Sequence, residues 1–421
     1  MIQTIKNAWK IEDLRKKLLF TLFIILIYRI GNSIPVPFIN VSLLSQYFTS
    51  VENTVLGLLN VMSGGAFSNA TIFALSIQPY INSSIIIQLL CIAIPALERM
   101  SKDEGEEGKK KIAAITRYAT VAIGLLQGLG YYMLLKNNGI LLDNSTFAAI
   151  IIILTFTSGS ALVMWLGEQI TEFGIGNGIS MILFASIISR FPTSIFTTIQ
   201  NVASGNLKWW AAILVFLGAL ALIVLIVFVN DAERRIPVQY AKRVVGRKQY
   251  GGQSTHLPMK VNMSGVMPII FAQSIASLPA TIAALAGKQL KWFETNSIPY
   301  AIVYLLLIVF FAYFYSTIQF NPIEVANNLK KNGGFIPGFR AGKPTSEYIQ
   351  KVLNKITLFG AIFLGILACT PILVSHFSNA SSLTGLSLGG TSIIIVVGVA
   401  LETVRALEAE MMMRNYKGFL D

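Results

Sequence analysis

Apolar residues in this 421-residue chain come in blocks of roughly bilayer length, each bounded by polar or basic residues. A transmembrane helix needs about 20 mainly apolar residues. Ten segments fit: 18–34, 71–97, 112–135, 147–167, 177–199, 209–229, 265–287, 299–320, 352–374 and 391–407. Hydrophobic residues make up 54% and charged ones 13%, where ordinary globular domains carry roughly 25% charged. Mean hydropathy is +0.65. There is too little polar surface to coat a water-soluble body, so the expected class is an all-α polytopic membrane protein.

The segments are not equally apolar. Trp209 to Val229 is the cleanest, whereas the second carries Gln78, Asn82, Ser83, Ser84 and Gln88, and the fifth Asn177, Ser180, Ser186 and Ser189. Unpaired polar groups in hydrocarbon are costly, so both segments should face other helices or water. The first apolar run follows a basic stretch, but Asn32-Ser-Ile-Pro-Val-Pro37 is a poor cleavage context, and a retained span is expected. Cys91 and Cys369 both lie in apolar runs and are expected to pack in the core.

A formal net charge of +13 would by itself point to nucleic acid. Its placement gives a simpler account. Of the 33 Lys and Arg residues, 27 fall in the head, 98–117, 231–264, 321–355 and the tail; five fall in the alternate loops, and Arg29 lies within the first span. Cytoplasmic loops carry the basic excess, so ten spans with both ends cytoplasmic are expected. Ten spans divide into halves of five, 1–200 and 201–421, and an odd number per half gives inverted repeats.

Two cytoplasmic loops, 231–264 and 321–351, are longer than the usual connection of about 4–6 residues. The first holds Arg243, Arg247 and Lys248; the second holds Lys330, Lys331 and Arg340 among Gly, Pro and Phe. Their charge serves to fix topology or to dock an acidic or RNA-bearing partner, and charge alone does not separate the two.

Catalytic chemistry leaves no trace. His256 and His376 are the only histidines, and no H-E-x-x-H occurs. Gly338 to Thr345 lacks phosphate-loop spacing, and Gly174-Ile-Gly-Asn-Gly178 falls short of a dinucleotide fingerprint, so its glycines are expected to shape a turn. Arg29, Arg117, Glu168, Glu172, Arg190, Glu402 and Arg405 sit near span ends, Glu402 and Arg405 being spaced to pair. A proton relay would keep such groups at mid-membrane. No enzyme, metal or cofactor is expected.

Polar strings then narrow the class. Asn60-Val-Met-Ser-Gly-Gly-Ala-Phe-Ser-Asn-Ala-Thr-Ile-Phe-Ala-Leu-Ser-Ile77-Gln-Pro-Tyr-Ile81-Asn-Ser-Ser-Ile-Ile-Ile-Gln88, Gly167-Glu-Gln-Ile-Thr-Glu-Phe-Gly-Ile-Gly-Asn-Gly-Ile-Ser180, Gln253-Ser-Thr-His-Leu-Pro258 and Gly389-Gly-Thr-Ser-Ile-Ile-Ile395 resemble, in this order, the SecY family of bacterial preprotein translocase channel subunits. The resemblance covers essentially the whole chain. It implies two five-helix halves around a central pore that conducts unfolded polypeptide across the bacterial plasma membrane and releases membrane helices sideways.

Carried over motif by motif, Ile77, Ile81, Leu183, Ile270 and Ile395 match an aliphatic pore ring. A hydrophobic constriction blocks ions by dewetting. Residues 58–70, with Ser63, Gly64 and Gly65, match a plug described as a short re-entrant helix, and Asn82 and Gln88 a lateral gate closing on the seventh span. Arg243, Arg247, Lys248 and Arg340 match docking positions for the ribosome or the motor ATPase SecA. SecE and SecG are the implied partner subunits; secretory preproteins, their signal sequences and membrane lipid are the implied ligands. The runner-up reading is a secondary transporter of small solutes with inverted repeats.

Overall fold

In the computed structural model each of the ten apolar segments contains helix. The structure describes residues 2–51, 54–102, 104–205, 208–240, 243–245, 248–250, 254–263, 265–285, 297–378 and 389–417. The chain opens with α1 (Ile2–Lys10) and α2 (Glu12–Gly31), then short α3 (Val41–Ser50) and α4 (Val55–Met62). There follow α5 (Gln78–Ala93), α6 (Pro95–Lys102), α7 (Gly105–Asn137), α8 (Thr146–Phe173), α9 (Gly178–Ile188), α10 (Phe191–Ala203) and α11 (Trp209–Asp231). The remaining helices are α12 (Met267–Leu285), α13 (Ile298–Gln319), α14 (Pro322–Lys331), α15 (Lys343–Ser378) and α16 (Gly389–Lys417).

Among the described residues six stretches are long and apolar enough to cross a bilayer: Gly105–Asn137, Thr146–Phe173, Gly178–Ala203, Trp209–Asp231, Ile298–Lys331 and Lys343–Thr370. Gln78–Ala93 and Met267–Ala283 are apolar but shorter. This is a multi-pass membrane protein.

Two expected single helices are interrupted where proline dictates. The second segment, 71–97, is turn up to Ile77, helical from Gln78, and broken at Ile94. Pro95 disfavours the helical conformation at Ile94 and reopens a helix at its own position. The fifth segment breaks at Ser189 and Arg190 before Phe191-Pro192 restart it. Helix starts elsewhere are capped by side chains: Ser145 accepts from the Ala148 amide at 3.1 Å, and Asn321 from the Ile323 amide at 3.1 Å beside Pro322 at the first helical position. These residues satisfy amides that a helix start leaves orphaned.

The two long basic loops are ordered into sheet. Strands β1 (Glu233–Tyr240) and β4 (Ser254–Lys260) pair antiparallel from Glu233–Lys260 to Gln239–Ser254. Between them β2 (Arg243–Val245) pairs with β3 (Lys248–Tyr250). Strand β5 (Gly334–Phe335), from the second loop, adds to the free edge of β1, giving the order β4-β1-β5. Period-2 burial drives this: Ile236, Val238 and Met259 face a satellite core with Ile336, Ile349 and Leu353. The alternation is present in Ile236-Pro-Val238 but hidden among seven basic residues of this loop.

The main core joins α2, α5, α8, α9, α12, α13, α15 and α16. A second core under α7 and α8 holds the segment after α2, with Tyr131 stacked on Phe67 at 4.3 Å. A small fourth one, Ala8, Leu14, Ile175 and Leu407, binds the head of the chain to its tail. There Thr4 donates to Glu408 at 3.1 Å and Lys17 reaches both carboxylate oxygens of Glu410 at 2.9 Å. The head and the tail helix therefore meet on one face of the bundle.

Candidate functional site

The five aliphatic positions singled out in the sequence arrive from four helices. Ile77 precedes the first turn of α5 and Ile81 lies within it; Leu183 lies on α9, Ile270 on α12 and Ile395 on α16. All five are 1% exposed and belong to the main apolar core. Small residues let these helices approach. A β-carbon on Gly167 would already touch the Ile77 and Ile182 side chains at 3.4 Å, and one on Gly178 would strike the Gly167 carbonyl.

Beside this cluster sits the segment matched to the plug, with different boundaries from those expected. The helix is Val55–Met62, and Ser63, Gly64 and Gly65 form the turn that ends it rather than part of a helix spanning 58–70. Gly64 and Gly65 have φ of 68° and 88°, a left-handed conformation that glycine adopts without steric cost. Gly64 is also tightly seated, since a β-carbon there would lie 2.8 Å from the Ser186 carbonyl of α9. The Ser63 hydroxyl accepts from the Phe67 amide at 3.1 Å and the Asn60 side chain from the Ser68 amide at 2.9 Å. Residues further on are pinned to the wall: the Val36 amide donates to the Ala70 carbonyl at 2.9 Å, and the Ile72 amide to the Ile34 carbonyl at 3.0 Å.

A cavity of about 40 Å³ separates turn, cluster and seam. It is lined by Met62 and Ser63, by Ile77 and Leu183, and by Asn82, Ser277 and Thr281. Asn82 is 4% exposed and its Oδ1 has no partner among the described residues. The second gate residue behaves differently. Gln88 meets α13, not α12: its Oε1 accepts from the Tyr315 hydroxyl at 2.6 Å. The expected closure on the seventh span is instead made by Gln78, whose Nε2 donates to Ser274 of α12 at 3.2 Å. Sequence reasoning passed over Tyr315 because it sits in the aromatic run Phe310-Phe-Ala-Tyr-Phe-Tyr315, where nothing marks one hydroxyl as inward-facing.

Other sequence expectations divide. Glu402 and Arg405 do not pair. Glu402 accepts from the Val266 amide at 3.3 Å, while Arg405 donates to Asp231 at 2.6 Å and to the Asn230 carbonyl at 2.7 Å. Residues three apart share a helix face, but here the neighbouring helices offered each group a closer partner. Arg117 pairs with Glu168 at 2.9 Å across α7 and α8, and Arg29 donates to Ser189 at 2.9 Å. Cys369 is buried, its thiol against the Ala301 carbonyl at 3.4 Å, whereas Cys91 is half-exposed rather than a core residue. The glycine-rich string shapes a turn: Gly176 has φ of 73°, and Asn177 caps α9 by accepting from the Ile179 amide at 3.0 Å.

In the loop between β5 and α15, Arg340 is exposed, held by Phe339 stacked on Tyr348 at 4.2 Å and by Thr345 donating to the Arg340 carbonyl at 2.8 Å. Arg243 and Lys248 lie on β2 and β3, and Arg247 lies outside the described residues. Lys260, at the foot of β4, has its pKa lowered by desolvation and then by the nearby Arg405 charge.

Comparison with known proteins gives this arrangement a setting. The sequence model of the SecY family matches residues 71–404. Protein translocase subunit SecY of Streptomyces scabiei is 45% identical over 442 aligned residues, covering the whole of both chains. The subunit of the same name from Mycobacterium tuberculosis strain H37Rv is 41% identical over 446 residues, again covering both completely. Among solved structures, one of a protein conducting channel superposes with a TM-score of 0.69 at 17% identity, over 94% of this chain and 92% of that one. Sec61 in the canine ribosome-channel complex gives 0.65 at 16% identity, with the same coverage. At such identities these structures bear on the fold.

Proposed function

The chain belongs to the SecY family, and from that premise we propose how it moves protein through a membrane. It is a protein-translocation channel, and the small-solute transporter reading falls away. Unfolded secretory chains pass between the two halves, 1–200 and 201–421, through a constriction formed by Ile77, Ile81, Leu183, Ile270 and Ile395. The observation that carries this is the burial of those five side chains in one core, with the Gly64 turn seated next to them. An aliphatic constriction excludes ions yet offers no hydrogen bonds to retain a passing chain. Residues 55–65 act as the movable stopper. Asn82, Gln88 and Gln78 line the seam through which apolar helices leave for lipid.

The chain works in the bacterial plasma membrane in ten crossings with both ends cytoplasmic. That orientation is supported by the 27 basic residues counted on one side and by the contact of head and tail. The β4-β1-β5 sheet and the β2-β3 pair, through Arg243, Lys248, Arg340 and Arg247 (outside the described residues), dock SecA or the ribosome. Partner subunits SecE and SecG complete the complex. The outer face of α10 and α11, where Phe196, Ile199, Phe216 and Phe228 are 61–74% exposed, is broad enough for a clamping SecE helix. The chain itself performs no chemistry; nucleotide hydrolysis or peptide synthesis elsewhere drives the movement.

A photo-crosslinker at Ile81 or Ile270, challenged with a stalled secretory chain, tests the reading, with Leu214 on exposed α11 as the control. Adducts containing the stalled chain are expected at the two core positions and not at Leu214. Equal labelling at all three positions in an engaged complex would overturn the channel assignment of these residues.

A further inference from the structure

Below the aliphatic cluster, the chain entering α12 lies against α16 at contact distance. A β-carbon on Gly398 of α16 would overlap the Val266 side chain just ahead of α12, and one on Gly265 would overlap Glu402 Oε1. That Glu402 oxygen accepts from the Val266 amide at 3.3 Å. Gly265 has φ of 65°, and Val266 is 3% exposed. Amides at a helix start have no partner within the helix, and the helix dipole favours a carboxylate beside them. Arg405, one turn on, is engaged with Asn230 and Asp231 and does not draw Glu402 away.

This joint fixes a register. Its two contacts, Gly265 with Glu402 and Val266 with Gly398, run antiparallel, as a seventh and a tenth span do. Counted from Val266 and Gly398, Ile270 lies four residues along α12 and Ile395 three residues back along α16. At about 1.5 Å per residue these are rises of about 6 and 4.5 Å, which put the two aliphatic positions within about 2 Å of one level. A slip of α12 by one turn, about 5.4 Å, would carry Ile270 out of that level. We propose that Glu402 is a positioning residue of the constriction: it holds α12 in axial register on α16 and so keeps Ile270 level with Ile395. The inference rests on the channel reading. Without the carboxylate the Val266 amide is buried and unpaired in the native register, which loses its advantage over a slipped one.

The test uses the complete translocase reconstituted in vesicles. In one set, Cys91 and Cys369 are changed to Ala and cysteine pairs are placed at Ile270 with Thr391, Ile395 or Val399. A short bifunctional thiol reagent is expected to bridge Ile270 with Ile395 in preference to the pairs one turn away on either side. Glu402→Ala is expected to flatten that preference. With Ile270 and Ile395 native it is also expected to raise resting ion conductance about tenfold, the effect of one hydrogen bond to a charged group. Gly398→Ala, which wedges the same joint and leaves the carboxylate in place, does likewise. Glu402→Gln keeps an acceptor oxygen and stays close to wild type in both readouts. Assembled complex and preprotein translocation persist in all three variants, which separates a slipped register from a failure to fold. Glu402→Ala with wild-type bridging and conductance, or Glu402→Gln that behaves like Glu402→Ala, overturns the proposal. Bridging that depends on Glu402 in a complex whose crosslinkers at Ile81 and Ile270 meet no stalled chain overturns the channel reading and leaves the register standing.

Discussion

Gly64 meets two demands that together call for glycine: a φ of 68° and a β-carbon site 2.8 Å from the Ser186 carbonyl. A left-handed backbone costs a residue with a β-carbon roughly 1–2 kcal/mol, and the clash falls only when the turn is seated. Gly64→Ala should therefore unseat the stopper about five- to thirty-fold more often, read as raised resting ion conductance of the reconstituted complex. An unchanged conductance would mean that the turn stays seated and the strain is absorbed elsewhere. This residue was found through its family string, whereas Tyr28, which bonds Ser186 at 2.7 Å behind the same turn, carried no sequence signal. Hydroxyl partners in a helical bundle depend on how helices rotate against one another, and one chain's hydropathy leaves that rotation open.

At the scale of elements, the apolar blocks made every long helix legible, because length and hydropathy are properties of a contiguous segment. What escaped were features set by non-local partners. The sheet joins residues nearly a hundred positions apart, Gln239 with Phe335; the stopper helix starts at Val55, ahead of the string that identified it. The head–tail clasp escaped for the same reason, although its chemistry is simple. Lys17 and Glu410 are 35% and 25% exposed, and partly exposed pairs contribute about 0.2–1 kcal/mol. Lys17→Glu and Glu410→Lys should each loosen the start of α2 from α16, and the double exchange should restore the contact. Protease sensitivity of the head in membrane vesicles is the measure; equal sensitivity of both single variants and wild type would show that Ala8, Leu14 and Leu407 hold the clasp without the ion pair.

For the whole molecule, charge is segregated rather than spread. The β4-β1-β5 sheet and its loops concentrate basic residues on one face, so association with a phosphate-bearing or acidic partner should weaken steeply with salt. If about six phosphates are contacted, affinity for ribosomes should fall by about three orders of magnitude between 50 and 200 mM salt. Arg340→Ala should make the slope shallower by about one. Sedimentation of ribosomes with vesicles over a salt series checks both. A salt-independent association would assign the contact to the exposed Phe335 and Phe339 instead.

The clasp between α1 and α16 also has a consequence in time. Leu407 follows Lys10 by about 400 residues, which at about 5–20 residues per second takes a ribosome roughly 20–80 s to make. Throughout that interval Ala8 and Leu14 have no apolar cover from the tail, and Lys17 has no Glu410. The head of the chain waits for its last helix, so the bundle closes at this rim only when α16 has been delivered. A quality-control protease that samples the free head would thus distinguish a nascent or truncated channel from a finished one.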